Sequence, residues 1–155
     1  MDSGTPANPN DPYDLSRFVQ AQDRGSYEQA LSEIRSGCKT SHWMWYVFPQ
    51  LDGLGFSPTS RRYSIKSLAE AEAYLKHPIL GPRLVECCEA LLLREGRSAS
   101  DIFGYPDDMK LRSCATLFVL VSPSGSVFHR VLDKYFGGGR DIKTLRLLGM
   151  APGAG

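Results

Sequence analysis

The sequence contains no apolar run approaching the ~20 residues that a membrane-spanning helix needs, so no membrane association is expected. It is also short of net charge. Its 18 Lys and Arg residues nearly balance 17 Asp and Glu, leaving +1 at pH 7. That balance gives no general attraction to nucleic acid or to an anionic membrane, and nucleic acid is not an expected partner. Cysteine is sparse. Cys38, Cys87, Cys88 and Cys114 form no C-x-x-C, and no histidine stands at zinc-finger spacing, so no metal and no other cofactor is expected. Cys87 and Cys88 are neighbours on an expected helix, where their side chains point about 100° apart. Three of the four lie among leucines and valines and read as reduced, buried thiols, with Cys38 the exposed exception. The chain lacks a phosphate-loop signature, a G-x-G-x-x-G, an H-E-x-x-H and a G-x-S-x-G. Whether it is an enzyme stays open on this evidence. The opening MDSGTPANPNDPYD is polar and acidic, without the basic start and apolar centre of a signal peptide, and a cytoplasmic protein is expected.

What is there is helical. A chain of 155 residues is the usual size of one domain. Residues 1–11 and 150–155 are rich in Gly, Pro, Asn and Ala and read as a disordered leader and tail around a single domain over 12–149. Leu15, Phe18 and Val19 mark a first helix. Ser26 opens S-Y-E-Q, a capping-box pattern, and Tyr27, Ala30, Leu31 and Ile34 follow at helical spacing until Gly37. Ser67 opens a second such box, S-L-A-E. Leu84, Cys87, Cys88, Leu91 and Leu92 form the face of a further helix with Pro82 in its first turn. Ser98 to Phe103 reads as a short turn. Pro106, Asp107 and Asp108 start a helix that is apolar all round from Cys114 and is therefore expected at the centre. Val127, Phe128, Val131 and Leu132 mark another, stopped at Gly137. Asp141 caps the last. Residues 51–60 read as a loop. The fold expected is all-α, an irregular orthogonal array of about seven or eight helices around one core.

The segment SHWMWYVFPQ, residues 41–50, is mostly aromatic or aliphatic, so periodicity cannot separate helix from strand there. Ser41 is the expected N-cap if it is helical. With FVQAQ (18–22), GLG (53–55), RYSI (62–65), YLKHPILGPRL (74–84), DDMKLRSCATLF (107–118) and VLDKYFGGGRD (131–141), it resembles a bacterial and fungal family of uncharacterised proteins, catalogued as a domain of unknown function. Some members carry the name calpastatin. Calpastatins are long, disordered and repetitive, whereas this chain shows no repeat. The resemblance covers about residues 12–148. It implies a helical fold, helix at 43–48, and no established activity.

Several polar residues stand out among these aromatics. His42 follows Ser41, and an imidazole titrates near neutral pH, which suits proton transfer or ligand binding. Trp43 offers an indole that needs an acceptor if buried and a stacking face if not. Gln50 follows Pro49. Arg62 and Tyr63 lie in S-P-T-S-R-R-Y-S, where Arg61 and Arg62 suit bidentate binding of phosphate or carboxylate. Lys110 lies in D-D-M-K-L-R-S. Asp108 reads as a cap or ion-pair partner, and Ser113 needs a hydrogen bond such as one to the Met109 carbonyl. Together His42, Trp43, Gln50, Arg62, Tyr63 and Lys110 are the candidate site for a small polar or anionic metabolite, with or without enzymatic turnover. The competing expectation is a protein-interaction module or homodimer using residues 42–50 as its contact surface.

Overall fold

Glycines and short polar side chains divide the chain into brief helices, and the core forms where their apolar faces meet. The computed structural model describes residues 9–150. The expected leader and tail lie largely outside that range. The helices are α1 (Ser16–Gln22), α2 (Ser26–Ser36), α3 (Met44–Val47), α4 (Pro58–Arg62), α5 (Leu68–Lys76), α6 (Leu80–Leu93), α7 (Ala99–Phe103), α8 (Asp107–Val119), α9 (Val127–Phe136) and α10 (Ile142–Leu147). The described residues thus form an all-α fold of ten helices. The two beyond the expected count are α4, which falls in a stretch read as loop, and α7, which was read as a turn. Both are five residues long and too short for periodicity to reveal. Each is held by a serine cap: Ser57 accepts from the Ser60 N–H, and Ser98 forms a full capping box with Asp101.

Three cap expectations are corrected. Gly25, in the left-handed region at φ 85°, occupies the N-cap of α2, and Ser26 is already inside the helix. Ser67 does accept from the Glu70 N–H, but the Glu70 carboxylate reaches past it to the Lys66 N–H. Ser41 does not cap α3, because its hydroxyl donates to Glu33. At the other ends Gly37 (φ 84°) and Gly137 (φ 60°) stop α2 and α9 as expected. The Asp108 carboxylate accepts only the next residue's N–H, whereas Asp107 is the ion-pair partner.

The central helix is α8, which packs on α9 and is also met by α5, α7 and α10. Its residues Ser113 to Val119 are all buried. The Ser113 hydroxyl donates to the Met109 carbonyl at 3.1 Å, as the sequence requires of a buried hydroxyl. A chain of rings runs through the core: Phe18 against Tyr74 (5.1 Å), Tyr74 against Phe118 (5.4 Å) and Phe118 against Phe128 (5.5 Å). A second cluster joins Trp43, Phe48 and Phe103. The helix α3 packs on α1. Beyond it, residues 50–52 run beside 64–66: Ile65 N–H donates to the Gln50 carbonyl and Asp52 N–H to the Ile65 carbonyl, both at 2.8 Å. This clasp closes the loop that carries α4. All four cysteines are free, with Cys38 exposed and the other three buried.

Candidate functional site

Two buried polar side chains set the backbone on which the site is built. Arg17, on α1, is 8% exposed and its guanidinium is fully engaged. It donates to the carbonyls of Arg62 (2.7 Å), Ser64 (2.8 Å), Tyr13 (2.7 Å) and Asp14 (2.8 Å), and pairs with Glu70 at 2.8 Å. A buried guanidinium is tolerated only with this degree of pairing, and its fork fixes the path of residues 62–64. Gln22, one turn on, is also buried and donates to the Tyr46 carbonyl at 2.7 Å while accepting from Arg83 at 3.2 Å. It ties α3 to α1.

These ties bring α1, α3 and α4 around a cleft of about 300 Å3 lined by Gln20, Arg24, Ser26, Tyr46, Arg62 and Tyr63, with Arg17 and Ala21 behind them. That volume is at the lower end for small-molecule sites. The Tyr46 and Tyr63 rings lie 5.3 Å apart, and the Arg62 guanidinium sits 5.5 Å from the Tyr63 centroid. The Tyr46 hydroxyl lies 3.2 Å from the Ser26 hydroxyl. Among the described residues no carboxylate lines the cleft. Among the described residues, neither Arg24 nor Arg62 forms an ion pair. The start of α2 opens beside them without a side-chain cap, and Glu28 in its first turn offsets the positive end of the helix.

Tyr63 also lines a narrow slot of about 10 Å3, with Trp45, Gln50, Gly55 and Ser60 among its walls. That is room for one water at most. Gln50 is 7% exposed, and its side-chain amide makes no hydrogen bond among the described residues. Gly55 keeps the slot tight, since a Cβ there would lie 2.8 Å from Ser60 and 3.3 Å from the Trp45 ring. The Lys110 ammonium stands 4.0 Å from the Trp45 centroid and 3.0 Å from Asp107, which also pairs with Lys39 at 2.8 Å. Burial pushes the Asp107 carboxyl up, but the two lysines outweigh it and hold it below the ordinary range.

The six residues singled out from sequence are thus divided. Arg62 and Tyr63 share the cleft, Tyr63 and Gln50 share the slot, and Lys110 reaches the slot's Trp45 wall. Trp43 joins neither. It is 1% exposed, and its indole N–H donates to Glu33 at 2.9 Å. His42 is exposed on the surface, and only its carbonyl is engaged, by the Tyr46 hydroxyl. The rest of segment 43–50 is buried apart from half-buried Trp45 and Tyr46, which leaves little apolar surface for a partner. Sequence reasoning missed Arg24, an unremarkable charge between two helices. It also missed Arg17, which lies four residues before buried Ala21 and so shares its inward face of α1.

The described residues therefore form an all-α fold with a basic, aromatic-walled cleft between α1, α3 and α4. The chain belongs to the family described as protein of unknown function (DUF1810), whose model matches residues 12–148. It is similar to the conserved hypothetical protein Rv1873 from Mycobacterium tuberculosis, with 51% sequence identity and a TM-score of 0.87. The match covers 91% of this chain and all of that one. No curated protein matches this chain.

Proposed function

We propose that the domain binds a small anionic metabolite in the cleft between α1, α3 and α4. The observation that carries this reading is the pair of guanidinium groups, Arg24 and Arg62, in one concave site with no carboxylate among its described walls. Arginines on a protein surface ordinarily find a carboxylate. Here two line one concave space of about 300 Å3, where a complementary anion would offset their mutual repulsion. Tyr46 and Tyr63 supply flat apolar faces beside the charge, as ligand pockets commonly do. Arg17 acts behind the site by fixing the backbone of residues 62–64.

The test is thermal unfolding of the whole chain with a panel of small anions at constant ionic strength. A ligand at 100 times its Kd adds about 2.7 kcal/mol to stability. The melting temperature should rise with at least one anion of the panel and not in the Arg24→Gln, Arg62→Gln double variant. A panel that shifts wild type and double variant alike would sink the proposal.

A further inference from the structure

Resting on that reading, we infer that the cleft recognises a phosphoryl group carrying two negative charges, in preference to a carboxylate. Arg17 is turned inward onto Glu70 and four backbone carbonyls, so it has nothing left for a ligand. Arg24 and Arg62 remain, two full positive charges with no carboxylate among the described lining residues. A carboxylate carries one charge and presents two oxygens, which one guanidinium fork already satisfies. The second guanidinium would then stay without a counter-charge in the cleft. A phosphate monoester carries close to two charges at neutral pH and presents three terminal oxygens, enough for both forks. Tyr63 lines the same cleft, and its ring adds an apolar face beside the charge.

Among the described residues, the polar groups facing the cleft from α1, α2, α3 and α4 are arginines, tyrosines, Gln20 and Ser26, with no histidine or carboxylate. Between pH 5.5 and 8 the titrating partner is therefore the ligand itself. A phosphate monoester loses its second proton near pH ~6, whereas a carboxylate is already ionised throughout. Binding of a monoester should tighten across this range, and binding of a carboxylate should not.

The experiment is titration calorimetry on the whole chain in phosphate-free buffer. The probes are inorganic phosphate and phenyl phosphate, set against acetate and benzoate. Both phosphates should bind at least about tenfold more tightly than the matching carboxylate, and more tightly at pH 8 than at pH 5.5. Inorganic phosphate equal to phenyl phosphate means that the phosphoryl group alone is read. Tighter phenyl phosphate adds stacking on Tyr46 or Tyr63, and both results support the inference. Arg24→Gln and Arg62→Gln should each weaken phosphate about tenfold or more. Both leave the Arg62 backbone carbonyl, which Arg17 uses, in place, and unliganded melting curves will show that they stay folded. Arg61→Gln removes the same charge from outside the cleft and should change nothing. Benzoate as tight as phenyl phosphate, or affinity independent of pH, overturns the phosphoryl assignment and leaves the anion cleft standing. Loss of affinity in Arg61→Gln equal to that in Arg62→Gln, or no binding of any anion, overturns both.

Discussion

Glu33 gives the sharpest stability prediction. Its buried carboxylate, near the end of α2, accepts four hydrogen bonds: from the Thr40 N–H (2.8 Å), the Ser41 N–H (3.0 Å), the Ser41 hydroxyl (2.6 Å) and the Trp43 indole (2.9 Å). It therefore fixes the whole entry to the aromatic segment. Burial pushes this carboxyl up, but the four donors outweigh burial and hold it at about 2, against an ordinary 4.5. A folded-state value below the unfolded one means stability that is complete above pH 4.5 and lost as pH falls through 2. The corresponding contribution is about 3 kcal/mol at pH 7 and about 1.4 kcal/mol at pH 3. Glu33→Gln keeps the shape and removes the titration. Urea unfolding of both proteins should show the wild-type advantage narrowing by about 2 kcal/mol between pH 7 and pH 3. A gap of constant size over that range would refute the assignment of this stability to the ionised carboxylate.

Further outcomes follow from burial and contacts. Trp43→Ala should cost about 3–5 kcal/mol, because the ring is enclosed by Phe48 and Phe103 and its loss also strips a donor from Glu33; His42→Ala should stay within about 0.5 kcal/mol in the same urea titration. Gly81→Ala should destabilise by about 1–3 kcal/mol or more, since a Cβ there would meet the Leu75 carbonyl oxygen at 2.1 Å across the α5–α6 junction; thermal melts will measure it. In thiol titration, the native protein should react rapidly at Cys38 alone, and the unfolded chain should count four thiols. Burial pushes the Cys87 thiol up to about 12 and those of Cys88 and Cys114 well above the ordinary range.

Much of the fold was legible in the sequence, because helix signals are local. A stop such as Gly37, a cap such as Asp141 and a stripe such as Phe128, Val131 and Leu132 each act within one or two turns, and the structure keeps all of them. The apolar run after Cys114 marked the central helix for the same reason: a helix without a polar face must be enclosed. Ser113 could be given its acceptor because that acceptor lies four residues back on the same helix. Polar choices between competing partners were not legible. Ser41 had two uses open to it, and Glu33, eight residues earlier, decided for a carboxylate rather than a helix end. Trp43 and Trp45 are equivalent on paper. One faces Glu33 and the core, and the other faces the slot and Lys110, because α3 is only four residues long and its roll is set by packing on α1. Arg24 and Arg62 are 38 positions apart, and nothing local relates them. Their convergence depends on Arg17 holding the backbone of residues 62–64 and Gln22 holding Tyr46. Signals confined to one or two turns, such as the stop at Gly37, the cap at Asp141 and the stripe of Phe128, Val131 and Leu132, are readable from neighbouring residues alone. Which charges share a cleft was decided only by tertiary structure, since that depends on buried polar side chains bonding to backbone far along the chain.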